Sequence, residues 1–265
     1  MKDLYIITGA TGGMGLSISK HFKNKGHLLL LDVSLDKLTK LKQELNGNVD
    51  IMKFDITSDD DIDKVVQFVK NYGGFKYLLN FAGVSESMGD SSLIYRINLI
   101  GQKRLLDALY DHVASGGVVI NTASIAAHTT PTVKGVNSLL ENLESKTLLN
   151  DLLKLTDTNS QAYGWSKLGI INLTKQYTKK WGEKNARMIS ISPGVIETPM
   201  VQTERGKNAE MINNLVNLSP AKRVGLPEDI TNLVEFLISD KATFITGSDI
   251  VIDGGLTTVI TNLYA

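Results

Sequence analysis

The chain has 265 residues, 42% of them hydrophobic, with 28 basic and 28 acidic side chains and a formal net charge of zero. That length suits one domain, and the charge balance argues against nucleic acid or an anionic membrane as a partner. The lack of cysteine excludes disulfides and thiolate metal sites, no metal site is expected, and no apolar run is long enough to span a membrane.

Leu4 to Thr8 is an apolar, β-rich run that predicts a strand buried on both faces. This leaves no room for a secretory leader before it, so the expectation is a soluble, cytoplasmic protein acting on a small molecule. The strand runs into TGATGGMG, Thr8 to Gly15, and a helical pattern follows from Met14 to about Asn24. Strand, glycine loop and helix together form the setting in which backbone can approach a pyrophosphate at a helix N-terminus. Gly9, Thr11, Gly12, Gly13, Met14 and Gly15 are the candidate residues of that loop.

A second strand, Leu28 to Leu31, ends at Asp32. Its distance from Gly9 is near the spacing of about 20 residues expected for an acid that binds the adenosine ribose 2′-hydroxyl. Ser34 is better placed than Asp32 to cap the helix beginning at Leu35, which leaves Asp32 for the ribose. A carboxylate there repels a 2′-phosphate, and neither Gly12 nor Val33 supplies a cation to accept one. The expected cofactor is therefore NAD rather than NADP.

The alternation continues along the chain. Ile51 to Phe54 predicts a strand ending at Asp55, followed by a capped helix from Ser58 to about Tyr72. Tyr77 to Phe81 is the fourth strand and leads through NFAG, Asn80 to Gly83, to a helix from about Leu93 to His112 that carries Asn98. Val118 to Thr122 is a fifth strand before Ser124, and Met188 to Ile191 a sixth before PGVIET. Helices are expected from about Met200 to Asn217 and from Pro227 to Ser239, with a last strand, Ile250 to Ile252, before DGG. Strand and helix in alternation mean parallel βαβ units, hence an α/β fold with a doubly wound parallel (Rossmann) sheet in a single domain, 1–265.

Residues 129–160 break this rhythm. Val136, Leu139, Leu140 and Leu143 follow helical spacing, as do Leu148, Leu149, Leu152 and Leu153. A helical-hairpin insertion with one apolar face is expected, which either packs on its own domain or serves as a lid or subunit contact.

The helix from Ala162 to Trp181 holds Tyr163 and Lys167, four apart and so on one face. A free tyrosine, with a pKa near about 10, is a poor base at neutral pH. An ammonium beside it favours the phenolate and brings proton transfer toward working pH. Gly9, Asp32, Asp55, Gly83, Ser124 and Pro193 all fall at carboxyl ends of expected strands, where ligands of such sheets bind.

On these residues the chain resembles the short-chain dehydrogenase/reductase family. TGxxxGxG is met by Thr8, Gly9, Gly13 and Gly15; the adenine-side aspartate by Asp55, with Ile56 beside it; and NxAG by Asn80, Ala82 and Gly83. Asn98, Ser124, and the Tyr163–Lys167 pair match the catalytic set, Pro193, Gly194 and Thr198 the PGxxxT motif, and Asp253 to Gly255 the terminal DGG. The resemblance implies that Tyr163 exchanges a proton with the substrate oxygen while Ser124 hydrogen-bonds it. Lys167 would bind the nicotinamide ribose and tune the tyrosine, and Asn98 would hold a relay water. Ile196 and Thr198 would fix the carboxamide.

The stretch from Ser124 to Tyr163 is longer than in most of the family, and that from Gly83 to Asn98 shorter. With AHTT and KKWGEKNAR, these resemble the 3α-hydroxysteroid dehydrogenase/carbonyl reductase branch. In that branch the insertion obstructs the usual dimer face, so a homodimer or other homo-oligomer would pair elsewhere. The implied activity is hydride transfer between NAD(H) and a secondary alcohol or ketone, such as a 3-hydroxysteroid or another bulky carbonyl compound. Alternatives are a generic reductase of 3-oxoacyl thioesters or sugars, a nucleotide-sugar epimerase (which the short end after DGG disfavours) and a non-catalytic NAD-sensing protein.

Overall fold

Seven parallel strands make one sheet in the order β3-β2-β1-β4-β5-β6-β7. The computed structural model describes residues 2–207 and 209–263. The strands are β1 (Leu4–Thr8), β2 (His27–Asp32), β3 (Val49–Lys53), β4 (Phe75–Asn80), β5 (Val113–Thr122), β6 (Arg187–Pro193) and β7 (Asp249–Ile252). Strand order reverses between β1 and β4, and the crevice beyond their carboxyl ends is where this class of sheet takes its ligand.

Period-two alternation sends successive strand side chains to opposite faces. Leu4, Ile6, Leu29 and Leu31 join one apolar cluster, whereas Tyr5, Ile7, Leu28 and Leu30 join the other. The first cluster is covered by α3 (Asp59–Tyr72), α5 (Gln102–Leu109) and α9 (Asn159–Gly182). The second is covered by α1 (Gly13–Phe22), α2 (Leu35–Leu45) and α12 (Pro227–Ile238). The result is a single three-layer domain, as the alternating pattern predicts.

The expected helix from Leu93 to His112 is interrupted. α4 (Ser91–Tyr95) passes into a π-helical turn, Arg96–Gly101, before α5 resumes. Such turns carry an extra residue per repeat and re-aim the side chains they contain; here the turn contains Asn98. The expected helix from Met200 to Asn217 is two, α10 (Pro199–Lys207) and α11 (Ala209–Leu218), with position 208 outside the described residues. A terminal helix, α13 (Leu256–Leu263), follows DGG. It has no counterpart in the sequence reading.

Residues 129–160 hold the end of α6 (Ala126–Thr129), then α7 (Val136–Glu141) and α8 (Leu148–Leu155). Val136, Leu140, Leu143, Leu148 and Leu152 are all buried in the first cluster, so the hairpin's apolar face packs on its own domain. Tyr177 Oη, on α9, donates to Asp107 at 2.7 Å and to Glu144 at 3.2 Å, and Lys103 bridges the same two carboxylates. Polar contacts at the rim thus continue the apolar ones beneath.

Candidate active site

Thr8 ends β1 fully buried, and its hydroxyl accepts the N–H groups of Phe81 and Ala82 at 3.1 and 3.0 Å. That latch brings the glycine loop against the end of β4. Gly9 adopts φ +64°, and a Cβ there would lie 2.7 Å from the Phe81 carbonyl oxygen. The position therefore requires glycine for both conformation and space. A Cβ on Gly15 would collide with the Gly9 carbonyl, so α1 can start close under the loop. Gly12 stands at the cap position of α1 with no side-chain cap, which leaves first-turn N–H groups for an anion.

A cleft of about 310 Å³ opens over this loop, lined by Gly9, Thr11 to Gly15, Asp32, Asp55, Ile56, Ala82 and Gly83. Asp32 accepts both the N–H and the hydroxyl of Thr11 on Oδ2, at 3.0 and 2.7 Å. The cap of α2 is Ser34, whose hydroxyl accepts from Lys37 N–H. Asp55 Oδ1 accepts the N–H and the hydroxyl of Thr57. An open helix end, a cradle that Cβ atoms would fill, and a carboxylate at the β2 end fit a nicotinamide dinucleotide.

Asn80 belongs elsewhere. It is 1% exposed, lines neither cleft, and donates to Asn121 Oδ1 at 2.9 Å, while Asn121 donates to Thr174 at 3.1 Å. Its side chain ties β4 through β5 to α9 instead of facing the cofactor cleft.

A second cleft of about 350 Å³ adjoins the first, and Met14, Gly83, Thr198 and Met200 line both. Ser124, Tyr163, Lys167, Pro193, Gly194 and Ile196 line the second. The proton-transfer candidates and the dinucleotide cleft therefore share one crevice. α9 starts earlier than Ala162 because Thr158 and Gln161 form a capping box: Thr158 Oγ1 accepts Gln161 N–H, and Gln161 Oε1 accepts Thr158 N–H. Tyr163 and Lys167 thus project from consecutive turns of a capped helix.

Lys167 is 5% exposed, and its Nζ donates to the Thr122 carbonyl at 2.8 Å and lies 5.8 Å from the centre of the Tyr163 ring. Burial pushes its ammonium down to about 8. Asn98 is also buried beneath the crevice and forms a reciprocal pair with Val84: Oδ1 accepts its N–H and Nδ2 donates to its carbonyl, both at 2.9 Å. Asn98 Nδ2 also lies 3.4 Å from Ser166 Oγ, which donates to the Tyr163 carbonyl at 2.7 Å. The π-helical turn thus anchors the loop after β4 to the first turns of α9.

Thr8, Thr122, Ser166 and Gln102, which donates to the Ala82 carbonyl at 2.8 Å, support the site without having been legible as site residues. Thr8 and Ser166 lie within the recognised motifs; nothing in the sequence marks Gln102.

With this geometry in place, the family is clear. The short chain dehydrogenase model matches residues 3–136, and an enoyl-(acyl carrier protein) reductase model matches residues 153–257. The chain belongs to the short-chain dehydrogenase/reductase family and is an oxidoreductase of that family, acting on alcohol or ketone groups. It is 30% identical over 265 residues to a 3-oxoacyl-[acyl-carrier-protein] reductase of Thermotoga maritima, covering 95% of this chain and 96% of that one. It is 28% identical over 273 residues to a 7alpha-hydroxysteroid dehydrogenase of Bacteroides fragilis, covering 97% and 95%. Among solved structures, the 3-alpha-hydroxysteroid dehydrogenase of Pseudomonas sp. B-0831, complexed with NADH, superposes with a TM-score of 0.81 at 22% identity, covering 98% and 99%. That likeness concerns the fold.

Proposed function

We propose that this protein is an NAD(H)-dependent dehydrogenase/reductase of a bulky, uncharged secondary alcohol or ketone, a hydroxysteroid being one such molecule. The observation that carries this reading is the shared crevice, in which Tyr163, Ser124 and Lys167 border a cleft continuous with the dinucleotide cradle. When bound, the cofactor gives or takes the hydride at the substrate carbon. Tyr163 gives the proton to the carbonyl oxygen in reduction and accepts it from the alcohol in oxidation. Ser124 orients that oxygen, and Lys167 supplies positive charge that favours the phenolate. Asn98 acts through Val84 and Ser166, holding the loop and helix that carry these groups.

The lining of the substrate cleft supports an apolar substrate. Val84, Ile125, Val195, Val201, Ile212 and Leu215 border it, and Lys167 is its sole cationic side chain among the described residues. Glu86 adds a carboxylate. A phosphorylated sugar would find only Lys167 there as counter-charge, already donating to the Thr122 carbonyl, which disfavours that kind of substrate. For NAD over NADP, the support is Asp32, held toward the ribose end of the cradle by Thr11. Self-association is the expected assembly, with α4 and α9 partly covered by the hairpin and Phe244 fully exposed in the loop before β7.

A panel of cyclic ketones, steroids included, alongside 3-oxoacyl thioesters and sugars, tests this by NADH absorbance. Fastest turnover is expected with the neutral cyclic ketones, and preference for a thioester or sugar would overturn the substrate reading. Asp32→Ala should weaken NADH and admit NADPH; a wild type already preferring NADPH would overturn the cofactor reading.

A further inference from the structure

Asp249, the first residue of β7, is a buried carboxylate with no place in the proton transfer at Tyr163. Its side chain is 8% exposed. Oδ1 accepts the Ser190 hydroxyl at 2.6 Å, and Oδ2 accepts the Ser192 hydroxyl at 2.8 Å. His128 Nε2 lies 2.9 Å from the same Oδ2 and 3.2 Å from Ser192 Oγ. With both serine hydrogens committed to the carboxylate, Nε2 must carry a hydrogen and donate it to Asp249. Burial alone would raise the carboxyl's pKa, but the bonds from His128, Ser190 and Ser192 outweigh it and hold the group below its ordinary value. The carboxylate is thus satisfied on both oxygens and favoured in its ionised form.

His128 sits on α6, a helix of a single turn that cannot hold its conformation unaided. Each end of that turn reaches a group of the active site. At its start, Ala126 N–H donates to Ser124 Oγ at 3.2 Å and so biases the serine rotamer. At its end, Thr130 packs so closely on Gly164, the neighbour of Tyr163, that a Cβ there would overlap its side chain. Trp165 Nε1 then donates to the Pro131 carbonyl at 3.0 Å. α6 is tied to the sheet at its start by Ile125 N–H, which donates to the Pro193 carbonyl at 3.1 Å, and along its length by His128, which reaches Asp249 and Ser192.

We propose that Asp249 and His128 are positioning residues, through which the last two strands hold α6 and thereby aim the Ser124 hydroxyl at the oxygen that Tyr163 protonates. The proposal rests on the reading of Ser124 and Tyr163 as the proton-transfer pair. Misaim of this kind removes a contact made in the transition state, so it should lower kcat and spare cofactor binding.

The test compares His128→Gln, whose amide nitrogen can take the place of Nε2, with His128→Asn, whose shorter amide cannot reach Asp249. With the best ketone of the panel, His128→Asn should lose about 10- to 100-fold in kcat, the scale of a small misplacement. KM and the NADH affinity from fluorescence titration should stay near wild type. His128→Gln should recover most of that loss. Asp249→Asn, which presents an amide donor to groups that themselves donate, should behave like His128→Asn and serves if that variant does not fold. Equal kcat in the Asn and Gln variants would overturn the proposal, as would a folded Asp249→Asn with wild-type kcat or a loss confined to melting temperature. Ser124→Ala is the control. If it keeps full turnover, the reading of the catalytic pair fails and takes the proposal with it. If it is inactive while the His128 variants are indistinguishable, the positioning proposal alone fails.

Discussion

Burial of Lys167 behind Tyr163 brings its ammonium to about 8, from an ordinary value of 10.5. Folding therefore holds a cation where water would have solvated it better, a cost of about 3 kcal/mol at neutral pH by linkage. Because the folded value lies below the unfolded one, the unfolded chain binds more protons between about pH 8 and 10.5, and stability from this group rises with pH across that window. Below about pH 8 both states hold the proton and the full cost remains. Lys167→Met should thus gain stability relative to wild type at pH 7, and urea titrations should show the difference shrinking by about 2–3 kcal/mol toward pH 10. A pH-independent difference would mean that the ammonium is not strained. Tyr163→Phe keeps the ring beside Lys167 and removes only the hydroxyl proposed to carry the proton. Turnover should fall by about 10²-fold or more, the scale of lost acid–base catalysis, with NADH titration unchanged.

Among the elements, the hairpin α7–α8 and the π-helical turn show how local pattern and packing divide the work. Leucine spacing announced both hairpin helices, and their apolar face is now seen in the main cluster with Trp165 and Leu99. Leu152, fully buried there, is a direct probe. Leu152→Ala should cost about 2–5 kcal/mol in chemical denaturation, the range for a buried leucine truncated in a packed core. A loss below about 1 kcal/mol would mean that the hairpin is a loosely held lid. The turn at Asn98 could not be foreseen, because Leu93 to His112 reads as unbroken helix. What reshapes it is the pairing of Asn98 with both backbone groups of Val84, a partner 14 residues away.

At the scale of the whole molecule, the reversal between β1 and β4 gathers loops from distant parts of the chain into one crevice. Binding there should stabilise the domain as a unit. NADH at about 100 times its Kd should add about 2.7 kcal/mol and raise the melting temperature in a single transition. A shift absent at saturating NADH would rule the crevice out as the dinucleotide site.

The amino-acid pattern alone determined the alternating α/β fold, the glycine loop with Asp32 at the end of β2, and the Tyr163–Lys167 pair on one helix face. These depend on short-range periodicity and on residue types whose chemistry is tied to local spacing. It also placed Asn80 at the cofactor, whereas its side chain turns to Asn121 inside the sheet. Tertiary structure alone decided that turn, the bend at Asn98 and the packing of the hairpin. It also joined Asp249 to His128, 121 residues apart. Each is settled by which buried polar or apolar group meets which partner across the fold, and such pairings leave no period in the chain.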